Sequence, residues 1–371
     1  MHTSKLRAAA AALVVFACAI DTTPAVAATP AGTVVFTRAQ TDAANNTRSR
    51  TLWLLDVATG QAQPLTTAND RVYDMSATWA PNGRSLVFDR GTQRGRGETR
   101  HLLESLSLAD GRVHTLLPGA ATDASQPAWG PGNRIAFIAK TPTGQCVAVV
   151  DALGRNRRNL LCAPSPNTFA RPNWSPDGAR LYVAGGAPEG RLEPIWHARV
   201  HAIDVASGQA TLLADTPMEA EQDLQVSPDG TRGIYSDIVA NDMLLVDFAT
   251  GEATTLPRRG HAPRWSPDGK RIAFTGEVYE VGEEFRYYEP LYVMNADGTR
   301  IRRITDSRVD NHAYTAAEWS KDNIHLLVNR RTFDDPSLTV ARHALRIVDA
   351  DTRALVQLPS GFAEAGAWYE P

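Results

Sequence analysis

A tryptophan, a tight turn of Ser-Pro-Asp-Gly type and an apolar strand recur along the chain at intervals of 39 to 54 residues, and an alternating hairpin follows each copy. Together these observations predict an all-β fold, a seven-bladed β-propeller of four-stranded antiparallel blades. The 371-residue chain is close to neutral, with 38 basic and 41 acidic side chains, and 43% of its residues are hydrophobic. That composition excludes a disordered, collagenous or disulfide-packed chain, and no basic excess marks a nucleic-acid surface.

Lys5 and Arg7 precede the apolar stretch Ala8 to Ile20, and Ala25-Val26-Ala27 places small residues where a signal peptidase reads. Residues 1–27 are therefore expected to be a cleaved export signal, leaving 28–371 as one propeller domain in the periplasm or outside the cell. Lipid attachment through Cys18 is the alternative, with the bulky Phe16 two residues earlier arguing against it. Beyond residue 30 no window approaches the roughly 20 apolar residues of a helical membrane span.

Six anchored copies are visible: Trp79-Ala-Pro-Asn-Gly83, Trp129-Gly-Pro-Gly-Asn133, Trp174-Ser-Pro-Asp-Gly178, Val226-Ser-Pro-Asp-Gly230, Trp265-Ser-Pro-Asp-Gly269 and Trp319-Ser-Lys-Asp-Asn323. A seventh anchor, Trp368, has no strand after it, whereas the strand Thr33 to Thr37 has no anchor before it. The two halves fit as one split unit, in which the N- and C-terminal strands pair and close the ring without an exposed edge. Six or eight blades are the alternatives, since the Val226 unit lacks the tryptophan.

Seven hairpin signatures, from LWLLDVATGQAQPLT to LRIVDADTRALVQL, supply the outer strands, mostly with Gly after a small or acidic residue where the turn needs positive φ. In one of them Cys146 and Cys162 lie equidistant from Gly154. A hairpin about that turn sets the two sulfurs opposite one another, so in an oxidising compartment a structural Cys146–Cys162 disulfide is expected.

The WSPDG anchor, the strand RIAFTG and the hairpin LYVMNADGTRIRRIT resemble the TolB-type propeller repeat, over nearly all of the chain after the signal. The resemblance implies the propeller fold and leaves function open, because the same repeat occurs in propeller halves of prolyl-oligopeptidase-like peptidases. The chain departs from both. TolB carries a separate N-terminal α/β domain before a six-bladed propeller, and no Gly-x-Ser-x-Gly elbow or trailing α/β domain of a peptidase is present here.

The repeated tryptophans read as packing wedges between blades, and the Asp of each turn as turn chemistry rather than a calcium array. In an up-and-down blade the second-to-third strand loops share a face with the links between blades. Here those loops are long, at 38–51, 90–100, 185–194, 276–289 and 329–342, so that face is the candidate for binding. One loop is basic, with Arg90, Arg94, Arg96 and Arg100. Another is acidic and aromatic, with Glu277, Tyr279, Glu280, Glu283, Glu284, Phe285, Tyr287 and Tyr288, a mixture common on protein-binding surfaces.

Residues ahead of the anchors are expected at the channel mouth: Asp74, Gln126, Arg171, Asp223, His261, Arg264, His312 and Glu318. His261 and His312 with Asp223 and Glu318 are the candidates for a metal, although no H-x-H or H-E-x-x-H spacing supports one. No phosphate loop, dinucleotide fingerprint or Ser/His/Asp set stands out, so no cofactor is expected. The leading expectation is a monomeric, non-enzymatic exported scaffold that binds a protein or peptide of the cell envelope. The alternative is a channel-mouth enzyme or carbohydrate binder, lyase- or lactonase-like and metal-dependent in one version.

Overall fold

The computed structural model describes residues 30–42, 46–67, 69–95, 98–119, 123–165, 167–189, 195–217, 221–237, 242–276, 278–281, 285–305, 312–333, 341–358 and 363–370. The export signal, residues 1–27, and Cys18 lie outside them.

Strands β1 (Thr33–Thr41), β2 (Thr47–Asp56) and β3 (Ala62–Pro64) form an antiparallel run. One parallel bridge, Arg50 to Tyr73, links it to β4 (Val72–Trp79), β5 (Ser85–Arg94), β6 (Glu98–Ser107) and β7 (Val113–Thr115). A second sheet contains β8 (Ala124–Gly130), β9 (Arg134–Thr141), β10 (Gly144–Asp151) and β11 (Arg158–Pro164). The next is built from β12 (Thr168–Phe169), β13 (Asn173–Trp174), β14 (Arg180–Glu189), β15 (Ile195–Asp204) and β16 (Ala210–Pro217). It is followed by β17 (Glu221–Val226), β18 (Arg232–Asp237), β19 (Met243–Asp247) and β20 (Ala253–Thr255).

In the following unit β21 (His261–Trp265) and β22 (Arg271–Thr275) precede a separate hairpin, β23 (Val278–Val281) and β24 (Phe285–Tyr288). Strands β25 (Leu291–Asn295) and β26 (Arg302–Arg303) then complete the four-stranded sheet. The sheet of β27 (His312–Trp319), β28 (His325–Phe333), β29 (Ala341–Asp349) and β30 (Leu355–Gln357) comes last. Finally β31 (Ala363–Tyr369) returns to pair with β1, Thr33 opposite Tyr369 and Val35 opposite Ala367. No helix among the described residues is long and apolar enough to cross a membrane.

Each sheet has two apolar faces, and the core is the set of seams between neighbours. Val87 and Leu103 pack with Ile135, Phe137 and Ala148 across one seam; Ala273, Leu291 and Val293 pack with Tyr314, Leu326 and Val328 across another. A fully buried Leu or Phe at such a seam contributes about 1.5–3 kcal/mol.

The tryptophans wedge into these seams and also bond across them. The indole N–H of Trp174 donates to Ala128 O at 2.9 Å, Trp319 to Arg264 O at 3.0 Å and Trp79 to Ala367 O at 3.0 Å. In each case the acceptor immediately precedes the anchor of the sheet before. Arginines that open the second strands cover the same rings from above, Arg134 over Trp174 and Arg271 over Trp319.

The turn aspartates are consumed locally. Ser175 Oγ donates to Asp177 Oδ1 at 2.6 Å, and the Ala179 N–H adds a second bond. These contacts hold the Asp177 carboxyl below the usual carboxylate range. Ser227 and Asp229 repeat the arrangement. Gly178 sits at φ +67°, and a Cβ there would lie 3.0 Å from Pro131 of the preceding turn, so the position demands both the left-handed backbone and the empty volume.

Cys146 pairs with Cys162 in the β10–β11 register, and the two sulfurs are joined in a disulfide, as the turn at Gly154 required. Four of the expected long loops are instead paired ribbons. Pairing continues to Thr41–Thr47, Arg94–Glu98, Glu189–Ile195 and Phe333–Ala341. A ribbon that has left the core has no buried face, so the apolar alternation that marks a strand is lost there.

Candidate functional site

In five of the sheets the first strand carries a register shift just before its anchor: between Met75 and Thr78, Ser125 and Ala128, Gln222 and Gln225, His261 and Arg264, and Ala316 and Glu318. Ser76, Gln126 and Ala262, each three residues ahead of the tryptophan, have positive φ. Such a bulge adds one residue to the strand and re-aims its neighbours, which is how polar side chains leave the apolar seam at this point.

Glu318 is the most perturbed group described. Its carboxylate accepts the Trp368 N–H at 2.5 Å, which ties β27 to β31. Burial pushes its pKa up to about 7, while the Trp368 N–H and the charges of Arg171 and Arg264 work against that rise and Glu370 adds to it. Two other predicted mouth residues, Arg171 and Arg264, thus act on Glu318 through their charges. A carboxyl held near neutrality can gain and lose a proton under physiological conditions.

His261 does not join them. Its Nε2 lies 3.4 Å from Glu289 Oε1, and Glu289, 4% exposed, also pairs with Arg331. His312 is buried with its ring 6.1 Å from that of Tyr314. Among the described residues no three His, Cys, Asp or Glu side chains converge on a point that could hold a metal. His261, Glu289 and Arg331 thus form a set of their own, and the Asp223 side chain lies outside the described residues.

The basic loop is also redistributed. Arg90 lies inside β5 and forms a two-pronged ion pair with buried Asp74, at 2.6 and 2.9 Å. Burial raises the pKa of adjacent Glu104, with Thr115 and Arg90 opposing that rise. Arg94 is exposed at the end of the ribbon, Arg100 bonds Gly119 O, and Arg96 lies outside the described residues.

Sequence reasoning missed the neighbouring set of Asp89, His101 and Asp123. Asp89 lies 3.5 Å from His101 Nδ1 and accepts the Gln126 N–H, and it raises the His101 pKa against the effect of burial. Asp89 and His101 pair with apolar positions of their strands, and a charged residue in a core-facing register was the available signal.

Tyr279, Glu280, Phe285 and Tyr287 fall on the β23–β24 hairpin, whose backbone pairs Tyr279 with Tyr287; their side chains and the whole of Glu277, Glu283 and Glu284 lie outside the described residues. Between β11 and the β14–β15 pair a cleft of about 230 Å³ is lined by Phe169, Gly185, Arg199 and His201.

No protein-family model matches the chain. It is 40% identical over 80 residues to the Tol-Pal system protein TolB of Nitrosospira multiformis, covering 22% of this chain and 16% of that protein. The structure of TolB from Acinetobacter baumannii superposes with a TM-score of 0.50 at 17% identity, over 73% of this chain and 63% of that one. A puromycin hydrolase S511A mutant complexed with PGG superposes with a TM-score of 0.63 at 16% identity, over 92% of this chain and 53% of that one. The chain spans less than two thirds of the length of each. These likenesses identify the fold as a TolB-like β-propeller, one that occurs both in TolB and in a hydrolase.

Proposed function

We propose that residues 28–371 form a seven-bladed propeller, closed by the pairing of β31 with β1, that is exported to the periplasm and binds a protein or peptide partner of the cell envelope. The observation that carries this reading is the asymmetry of the turns. First-to-second strand turns are short and satisfied by their own Ser and Asp side chains. Second-to-third strand connections run out as ribbons ending at 41/47, 94/98, 189/195 and 333/341, with the β23–β24 hairpin added to them. In up-and-down blades these share one face, where they supply backbone edges and side chains to a partner. Likeness to the Tol-Pal system protein TolB supports a partner in the envelope.

The test is a pull-down from native envelope extract with the wild-type chain and with Tyr279, Phe285 and Tyr287 changed to Ser. Loss of a specific partner in the variant supports the reading, whereas equal recovery of every partner refutes it for this hairpin.

A second reading, a channel-mouth enzyme or carbohydrate binder, draws on Glu318, whose carboxyl titrates at about 7 beside two arginine charges. It requires that Glu318→Gln abolish a turnover or sugar binding that the wild-type chain displays.

A further inference from the structure

Aligning the sheets on their anchors brings one trio of positions into register: the residue five before the anchor, its partner on the second strand, and the third-strand residue diagonal to that partner. In the β4–β7 sheet the trio is Asp74, Arg90 and Glu104, with Asp74 opposite Arg90 and Glu104 opposite Phe88. Arg90 is ion-paired with Asp74 and also feels the charge of Glu104. In the β8–β11 sheet the trio is Ala124, Ala139 and Ala148, all buried and uncharged. In the β12–β16 sheet Phe169, Gly185 and His201 line the cleft already described.

The β27–β30 sheet breaks the pattern. Its trio is Tyr314, Arg330 and Arg346, with Tyr314 opposite Arg330 and Arg346 opposite Val328. Alternation along the strands puts both arginines on the face of Tyr314 and Val328, which packs against the β21–β26 sheet. Arg346 is 6% exposed, and its one hydrogen bond among the described residues goes to the neighbouring Leu345 O at 2.7 Å. Arg330 Nε is buried without a hydrogen-bond partner, while the residue as a whole is half-buried, so solvent reaches the pair. No carboxylate among the described residues pairs with either. The forces on Arg346 agree: burial lowers its pKa, the Arg330 charge lowers it further, and only the Tyr314 phenol opposes them. A buried guanidinium beside a second, half-buried one is costly until an anion completes the pair.

We propose that Arg330 and Arg346 hold an oxyanion, a carboxylate or phosphate group, on the face of the β27–β30 sheet that is turned toward the β21–β26 sheet. The planar forks of two arginines suit either group, which accepts several charge-assisted bonds at once. Tyr314 supplies a hydroxyl beside them in place of the carboxylate that Asp74 gives Arg90. The inference is independent of any protein partner on the hairpin face.

The experiment titrates the purified full chain with inorganic phosphate and with succinate in chloride buffer of matched ionic strength, read by calorimetry and by melting temperature. Saturable binding is expected, and the tighter of the two anions identifies the group as phosphate or carboxylate. Arg346→Glu rebuilds the Arg90–Glu104 arrangement and should weaken binding by about tenfold or more, while melting above the wild type in chloride alone. Tyr314→Asp rebuilds the Asp74–Arg90 pair and should do the same, so that either variant decides the matter if the other fails to fold. Arg112→Gln, on an exposed turn, should bind as the wild type does. Absence of saturation with both anions, undiminished binding in the rebuilt variants, or equal loss in Arg112→Gln would overturn the proposal.

Discussion

Replacing Glu318 with Gln tests whether its carboxyl is held protonated by the fold. The folded pKa of about 7 stands above the ordinary 4.5 chiefly because of burial. The folded chain therefore favours the protonated form, so this group's contribution to stability is full below pH 4.5 and is lost as the pH rises through 7. A displacement from 4.5 to about 7 corresponds to roughly 3 kcal/mol. The Gln carbonyl still accepts the Trp368 N–H, so the β27–β31 tie survives while the ionisation is removed. Glu318→Gln should thus match the wild type at pH 4.5 and exceed it by roughly 3 kcal/mol at pH 8, about 4 °C in melting temperature for a chain of this size. Thermal unfolding followed by circular dichroism at half-unit steps from pH 4.5 to 8.5 measures the difference. A gap between variant and wild type that stays constant over that range, or one that shrinks as the pH rises, refutes the reasoning.

Trp319→Phe should cost about 1–3 kcal/mol more than Trp129→Phe in urea unfolding. Both lose similar volume, but Trp319 Nε1 bonds Arg264 O whereas Trp129 Nε1 is buried without a partner. Gly130→Ser brings the Trp129 unit closer to the repeat consensus yet should destabilise it by about 1–3 kcal/mol, since a Cβ there would lie 2.3 Å from the Trp174 ring; a higher melting temperature would contradict this packing. Reduction of Cys146–Cys162, separated by 16 residues, should lower stability by about 3 kcal/mol in melts with and without reductant.

The scaffold was legible because its determinants are local and repeated. Pro, Asp and Gly announce each turn, and Gly178 and Gly269 take up positive φ where the chain must reverse. The disulfide was legible for a related reason: a hairpin centred on Gly154 leaves one register for Cys146 and Cys162. The bulges were not legible, because Ser76, Gln126 and Ala262 adopt positive φ without being Gly or Asn, under pressure from the surrounding strands. Nor were the ribbons, whose residues pair through backbone atoms that every side chain shares. Of the candidate site, Glu318, Arg171 and Arg264 were expected at the channel mouth with five other residues because each lies close ahead of an anchor, but nothing in the sequence singled out these three together. The Trp368 N–H that accompanies them belongs to a strand fifty residues later, and nothing in its side chain marks the contact.

Repetition also separates what the fold needs from what it merely tolerates. At the anchor the indole recurs because it wedges into the seam and in several units bonds across it, and the serine and aspartate recur because they satisfy the turn. Five residues earlier the occupants include Asp74, Ala124, Phe169 and Tyr314, which share neither size nor charge, so in these four sheets the scaffold requires no one residue type there. Where such a free position is apolar, packing alone accounts for it; where Asp74 meets Arg90, the two charges are paired within the sheet. Tyr314, Arg330 and Arg346 satisfy neither description. Arginine is among the residues most rarely buried without a partner, and a position free to be alanine would shed that burden if the charge had no use. The two guanidiniums are therefore better understood as half of an interaction than as part of the framework.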